Sequence, residues 1–495
     1  MSHHSPKILA IDQGTTSSRA LIFNKKGHVI AKAQQEFRQY FPHDGWVEHD
    51  PEEIWSTTLA CVQKVLKEQP DIKAIGITNQ RETIIIWDKN TGKAIYPAIV
   101  WQDRRTSDFC AQQKKDGLES YLTSKTGLLI DPYFSASKIK WILDNVDSAR
   151  DRANKGELLC GTIDCFLLWR LTNGQSHLTD VTNASRTNLF NIHTSEWDQD
   201  LLKLFQIPAQ LLPKVQPNAS FFGEANSSIL GTNTSIPILA MAGDQQSATI
   251  GQACFQEGMI KSTYGTGCFA LMNCGSTVPV SKNRLLATVA YEIGNARHYA
   301  LEGSIFNAGS VVKWLRDQLG LIQTAAESEA YCQKLLTNEG VYFVPAFTGL
   351  GAPYWNPDVR GLLMGLTRDS KKEHIVRAAL ESVVYQSLDL FKAMSNDANE
   401  PIASMRVDGG MVQNKWFLQF LADMIGIKIE RPKILEITAL GVAFTAGLQD
   451  GIYSSLDAIS TLWTEEIHFL PHMPAEKKNH FYEGWQRAVH ATLNA

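Results

Sequence analysis

No apolar run in this 495-residue chain is long enough to cross a bilayer. Residues 236–242 form one of the longest, and a membrane-spanning helix needs about 20 such residues. Cysteine is scarce, at 8 residues, and no C-x-x-C pair occurs. Cys160 and Cys165, the nearest in sequence, fit buried thiols better than zinc ligands, which points to a reduced, cytoplasmic protein. No excess of either charge exists: the net charge of −4 supplies neither a basic face for nucleic acid nor one for a membrane surface. The Walker sequence G-x-x-x-x-G-K-[ST] is also missing, since Gly92-Lys93 runs into Ala94, and this disfavours a P-loop fold. Residues 1–7 lack the apolar core of a signal peptide, and His3 and His4 read as a polar tip rather than a metal pair.

What is present is a device used twice. Ile8-Leu9-Ala10-Ile11-Asp12-Gln13-Gly14-Thr15-Thr16-Ser17-Ser18-Arg19 leads into Ala20-Leu21-Ile22-Phe23. Half a chain later, Met259-Ile260-Lys261-Ser262-Thr263-Tyr264-Gly265-Thr266-Gly267-Cys268 leads into Phe269-Ala270-Leu271-Met272. Each is a β-prone run, a Gly/Thr/Ser turn and a second apolar run, the pattern of a β-hairpin with a hydroxyl-rich tip. Such tips can hold phosphate through backbone N–H and hydroxyl groups. A chain of this length is expected to divide into two domains, and the duplication places them at 1–252 and 253–495.

Strand and helix patterns alternate throughout, as in layered α/β proteins. Asp50-Pro51-Glu52-Glu53 marks a helix start, with Asp50 as N-cap and Pro51 in the first position. Ile54, Leu59, Val62, Val65 and Leu66 supply its apolar face. Residues 72–78, 84–87 and 236–242 read as strands, the last ending at Gly243-Asp244 and leading into a helix that reaches about Gln252. Met405-Arg406-Val407 is a strand that stops at Asp408-Gly409-Gly410 before a helix carrying Trp416, Phe417, Phe420 and Leu421.

Several positions carry candidate chemistry. Asp12 adjoins the Gly14 turn, where a carboxylate either holds Mg²⁺, directly or through water, or caps the turn. Arg19 either neutralises phosphate or pairs on the surface. Asp244, at a strand end in mid-chain, can accept a proton from an attacking alcohol, and can also serve the following helix as a cap. Arg81-Glu82 offers a donor fork beside an acceptor, suited to adjacent hydroxyls or to solvent. Asp408-Gly409-Gly410 leaves room for a flat ligand at a helix N-terminus, or merely joins a strand to a helix.

Taken in order, Asp12-Gln13-Gly14-Thr15-Thr16-Ser17-Ser18-Arg19, Trp46-Val47-Glu48-His49-Asp50-Pro51, Gly76-Ile77-Thr78-Asn79-Gln80-Arg81-Glu82-Thr83, Asp131-Pro132-Tyr133-Phe134-Ser135, Gly243-Asp244-Gln245-Gln246, Tyr264-Gly265-Thr266-Gly267-Cys268-Phe269, the run from Pro345 to Trp355 and Arg406-Val407-Asp408-Gly409-Gly410 span nearly the whole chain. They resemble the FGGY carbohydrate kinases of the actin-like ATPase superfamily, in particular those acting on glycerol. The resemblance implies two actin-like, ribonuclease H-like α/β domains closing on a cleft, with ATP and Mg²⁺ as cofactors. It implies that Thr15, Thr16, Ser17 and Arg19 form the phosphate loop and that Asp12 positions Mg²⁺. Arg81, Glu82, Tyr133, Asp244 and Gln245 match the glycerol-binding set, with Asp244 as base, and Trp101 and Phe269 match aromatic residues against the glycerol carbons. Thr266, Gly309, Gly410 and Asn414 match nucleotide contacts. Lys313 stands at a nucleotide position where the family often has Gln. In some bacterial members a glycine-rich loop ending in Arg binds the inhibitor fructose 1,6-bisphosphate. Here Gly231-Thr232-Asn233-Thr234-Ser235-Ile236 contains no Arg, so no such inhibition is expected. Relatives imply a homodimer or homotetramer. A kinase for another short polyol or ketose would keep most of these features. An ATPase using nucleotide only as a conformational switch would keep the hairpins without needing the polar cluster at Arg81, Glu82, Tyr133 and Asp244.

Overall fold

The computed structural model describes residues 5–294, 296–356, 358–398, 402 and 404–494. His3 and His4 lie outside the described residues. The first hairpin forms as the sequence predicts, from β1 (Lys7–Gln13) and β2 (Ser17–Asn24), with Asp12 opposite Arg19. The Gly14 amide closes its turn by donating to the Ser17 carbonyl at 2.9 Å. β3 (Val29–Glu36) continues the meander. Helix α1 (Pro51–Glu68) then crosses, its start fixed by the Asp50 carboxylate, which accepts from the Glu52 amide at 2.8 Å.

The inner face of α1 differs from the apolar pattern. Leu59 is only half-buried, whereas Thr57, Thr58 and Cys61 are buried. The reason is Ser18 of β2: its hydroxyl pairs with Thr57 Oγ1 at 2.9 Å and with Thr58 Oγ1 at 3.1 Å. A buried hydroxyl needs such partners, so threonines take the inward positions.

β4 (Ala74–Asn79) pairs parallel to β1, and the sheet is completed by β5 (Ala219–Ala225) and β6 (Ile236–Gly243). Its strand order is β5-β6-β4-β1-β2-β3. Helix α2 (Asp244–Gly251) follows β6 directly.

The second half repeats the plan. β7 (Ile260–Tyr264) and β8 (Cys268–Asn273) make the second hairpin. β9 (Leu286–Ile293) and β10 (Ala296–Ile305) extend it antiparallel. Helix α3 (Gly309–Asp317) comes next, then β11 (Ser404–Asp408), α4 (Lys415–Ile425), β12 (Lys428–Pro432), α5 (Ile437–Gln449) and β13 (Glu465–Phe469). The order is β9-β10-β8-β7-β11-β12-β13, with β11 parallel to β7 and β12 parallel to β11. In both sheets an antiparallel group that starts from the hairpin is flanked, beside its first strand, by two successive parallel strands. That is the duplicated actin-like, ribonuclease H-like α/β plan.

α5 packs back onto the first sheet, burying Leu440, Val442 and Phe444 among Ile8, Ala10 and Leu239. It reaches α2 by a glycine-on-backbone crossing. A Cβ at Gly441 would sit 1.8 Å from the Ser247 carbonyl oxygen, and one at Gly251 would sit 2.1 Å from that of Ile437. Neither obstacle is a flexible side chain, so only glycine allows this approach. Gly441→Ala is therefore expected to force the helices apart at a cost of about 1–3 kcal/mol or more. Thermal unfolding checks this, and an unchanged midpoint would contradict so close a crossing.

Candidate active site

The loop between β4 and the strand Ile84–Asp88 carries an unusual backbone conformation. Glu82 has φ of +60°, a conformation that non-glycine residues rarely adopt, and its neighbour Arg81 is almost completely buried. The sequence left this pair open between hydroxyl binding and solvent; the structure removes the solvent alternative. Arg81 Nη1 donates to Glu302 Oε2 at 2.5 Å and Nη2 donates to Glu302 Oε1 at 2.9 Å. Arg81 Nη2 also donates to the Tyr133 hydroxyl at 3.3 Å, and Nη1 donates to Gln246 Oε1 at 3.2 Å. Its Nε lies 3.3 Å from Asp244 Oδ1. Glu82 Oε1 accepts from Arg186 Nε at 2.6 Å.

Asp244 opens α2 instead of capping it; Gly243 is the N-cap. The Asp244 side chain keeps 31% of its surface exposed and accepts from the Gln245 amide at 2.7 Å. Desolvation raises its pKa above the ordinary aspartate value, while the charges of Arg81 and Lys261 restrain the rise. Gln245 accepts a hydrogen bond from the buried Lys261 Nζ. Burial pushes the Tyr133 phenol upward, so its hydroxyl keeps its proton and remains a donor. Tyr133 sits in a loop stapled by buried Lys138, whose Nζ donates to the Pro132 carbonyl at 2.9 Å and the Phe134 carbonyl at 3.0 Å. Desolvation lowers that lysine to about 8.

Three aromatic rings wall this polar group. Trp101 lies edge-on to Tyr133 at 5.7 Å and to Phe269 at 6.0 Å between centroids. The Trp101 indole N–H donates to Thr15 Oγ1 at 3.0 Å, which ties the aromatic wall to the first hairpin turn.

The remaining positions fall around the two turns. Thr15 is half-buried and Thr16 exposed at the first tip, whereas Ser17 already belongs to β2 and accepts from Gln34 Nε2 at 3.2 Å. Arg19 ion-pairs with Asp12, and its Nη1 reaches Glu436 Oε2 at 3.0 Å. Burial raises the Asp12 carboxyl, with Arg19 opposing. Thr266 is exposed at the second tip, and its carbonyl accepts from the Ala308 and Ser310 amides, each at 3.0 Å. The Gly309 amide donates to the Gly265 carbonyl at 2.9 Å, and a Cβ at Gly309 would lie 2.5 Å from that oxygen. Gly309 thus pins the start of α3 to the second hairpin, while Lys313 stands exposed further along the helix. Gly409 has φ of +97°, and a Cβ there would strike the Tyr264 carbonyl oxygen at 2.4 Å, so both the backbone angle and the close approach call for glycine. At Gly410, by contrast, a Cβ would meet nothing within 4 Å, so the strand end opens onto free space. Asn414 caps α4 by accepting from the Phe417 amide at 2.9 Å, and its Nδ2 donates to Ser328 Oγ at 3.3 Å.

Sequence reasoning missed Glu302, Arg186, Lys261 and Lys138. Glu302 and Lys261 each left a trace, a lone charge within an apolar strand run, Ala300-Leu301-Glu302 and Met259-Ile260-Lys261. Such a residue on a buried strand must have a partner. Arg186 left none, because Glu82 and Glu302 are each more than 100 positions away, and Lys138 left none, because its partners are backbone carbonyls of its own loop.

Among the described residues, no group of three or more His, Cys, Asp or Glu side chains could hold a metal by itself. Asp12 offers a single carboxylate beside the first hairpin turn, buried and paired with Arg19. Among the described residues, no helix is long and apolar enough to cross a membrane. The broad surface groove lined by Phe41, Trp55, Tyr96 and Trp169 contains none of these site residues.

The chain is similar to known proteins along nearly its whole length. The FGGY family of carbohydrate kinases, N-terminal domain, matches residues 7–251, and its C-terminal domain matches 260–449. Glycerol kinase 1 of Pseudomonas aeruginosa is 58% identical over 493 residues, covering 99% of each chain. Glycerol kinase of Coxiella burnetii is 54% identical, covering 98% of this chain and 97% of its own. A crystal structure of Plasmodium falciparum glycerol kinase with ADP superposes with a TM-score of 0.93 at 39% identity, covering 99% of this chain and 98% of its own. Gluconate kinase from Lactobacillus acidophilus, at 21% identity and a TM-score of 0.88, covers 99% of this chain and 98% of its own and shares the fold.

Proposed function

The chain belongs to the FGGY family of carbohydrate kinases, and from that premise we propose that it phosphorylates glycerol with ATP, giving sn-glycerol 3-phosphate and ADP. The observation that carries this reading is the polar group of buried Arg81 and Glu82 with half-buried Tyr133 and Asp244, next to the rings of Trp101 and Phe269 that meet Tyr133 edge-on through Trp101. A small polyol presents both hydroxyls and C–H faces. The charged groups match the hydroxyls and the rings match the carbons.

In the proposed reaction, a terminal hydroxyl attacks the γ-phosphorus of ATP. The O–P bond to the substrate forms as the bond to the β-phosphate oxygen breaks and ADP leaves. Asp244 accepts the hydroxyl proton. Arg81, Glu82, Tyr133 and Gln245 orient the polyol. Thr15, Thr16, Ser17 and Arg19 line the phosphates from the first hairpin. Thr266, Gly309, Lys313, Gly410 and Asn414 surround the rest of the nucleotide. Asp12 would hold Mg²⁺, which when bound offsets charge on the phosphate oxygens. The division into lobes at 252/253 belongs to the same proposal, supported by one hairpin sheet on either side. So does a cytoplasmic homodimer or homotetramer; the eight free, buried cysteines fit a reducing compartment.

The test is ADP release by purified protein with ATP and Mg²⁺, with and without glycerol. Strong glycerol dependence is expected. Equal release in both arms would overturn the proposal, and would favour a nucleotide switch instead.

A further inference from the structure

Glu302 belongs to β10 in the second sheet, yet among the described residues every hydrogen bond its carboxylate accepts comes from an arginine in the first half of the chain. It is fully buried. Its two oxygens receive Arg81 Nη1 and Nη2, and Oε1 also receives Arg186 Nη2 at 2.9 Å. These guanidinium groups hold the carboxyl down to about 2 against the opposing effect of burial. Without an anion between them, Arg81 and Arg186 are like charges that disfavour one another. Each arginine has a second task. Arg186 Nε holds Glu82, and Arg81 Nε faces Asp244.

We infer that Glu302 is a positioning residue for the polyol seat, supplied across the cleft by the opposite sheet. By occupying the Nη groups of Arg81, it leaves Nε toward Asp244. By occupying Arg186, it keeps Glu82 in its left-handed backbone position. The seat is therefore complete only when β10 is docked against the loop at 80–83. This rests on the glycerol-phosphorylating reading, because the effect is read on glycerol.

The experiment measures steady-state kinetics of the full chain, varying glycerol and ATP separately. Glu302→Gln keeps the shape but removes the charge. It is expected to raise the glycerol KM about tenfold or more, with the ATP KM within about twofold of wild type. Glu302→Asp keeps the charge on a shorter arm and should recover part of the loss. Parallel rises in both KM values, a fall in kcat alone, or an Asp variant no better than Gln would each overturn the inference. If Glu302→Gln shows no cooperative melting, Arg186→Lys gives the same reading. It keeps a cation beside Glu302 but cannot bridge Glu82 as well, so the rise should again be confined to glycerol, and an equal ATP effect would overturn the inference. Wild-type protein without glycerol-dependent ADP release overturns the proposed function and this inference with it. Active wild type with an unchanged glycerol KM in Glu302→Gln overturns this inference alone.

Discussion

Asp244→Asn is expected to lower kcat by about 10²–10⁴-fold while glycerol still binds. The amide keeps the shape and an acceptor oxygen but cannot take the proton as the hydroxyl attacks. The environment of Asp244 is arranged for that task. Burial raises its pKa and so its basicity, whereas Arg81 at 3.3 Å and the nearby Lys261 limit the rise. The sign is definite: protonation disables the base, so kcat/KM should fall on the acid side at a pH above the ordinary aspartate value of 3.8. The Asn variant should lose that dependence. Initial rates across pH, with glycerol binding followed by quenching of tryptophan fluorescence, check both statements. Turnover close to wild type in Asp244→Asn would exclude the proton-accepting role.

Arg81→Met is expected to destabilise the protein by about 3–5 kcal/mol and to abolish saturation by glycerol. The loss has a definite origin. Arg81 is 3% exposed and Glu302 is 0% exposed, so removing the guanidinium leaves a buried carboxylate that keeps Arg186 as its hydrogen-bonded cation and Lys261 only as a nearby charge. Glu82, already raised by burial, also loses a cation that restrains it. Removing one partner of a buried pair costs more than removing both, so Arg81→Met combined with Glu302→Gln should be more stable than Arg81→Met alone. Denaturant midpoints for the two variants decide this. An unaltered midpoint in Arg81→Met would mean that the buried charge cluster contributes little to stability.

Much of the frame was legible in local sequence. The Gly14 and Gly265 turns between β-prone runs predicted both hairpins, because Gly/Thr/Ser clusters favour a reversal and the flanking runs need apolar partners. Asp50-Pro51 predicted the start of α1, because capping is settled by side chains within two residues of the helix end. Asp244 was visible at the end of β6, since a strand that stops at Gly-Asp exposes the next side chain. The inner face of α1 was misjudged at Leu59, because the demand of Ser18 for hydroxyl partners is set by another strand. The duties of Gly309 and Asn414 were also only half visible. One closes on Gly265 and the other caps α4, so part of each residue's identity is structural.

The sequence by itself determined the local elements, the duplication, the motifs that match the family and the residues able to carry phosphoryl-transfer chemistry. These depend on spacing, turn residues and apolar periodicity, all of which act over a few positions. Only the tertiary structure decided the electrostatic state of the site. Arg81 and Glu82 are adjacent in sequence, yet their strongest hydrogen-bonded ion pairs are with Glu302 and Arg186, which lie in distant segments. Whether such a pair is solvated or buried, and what charge its neighbours carry, depends on which strands the fold brings together. Coulomb interactions and desolvation follow distance and burial in space, and sequence separation fixes neither.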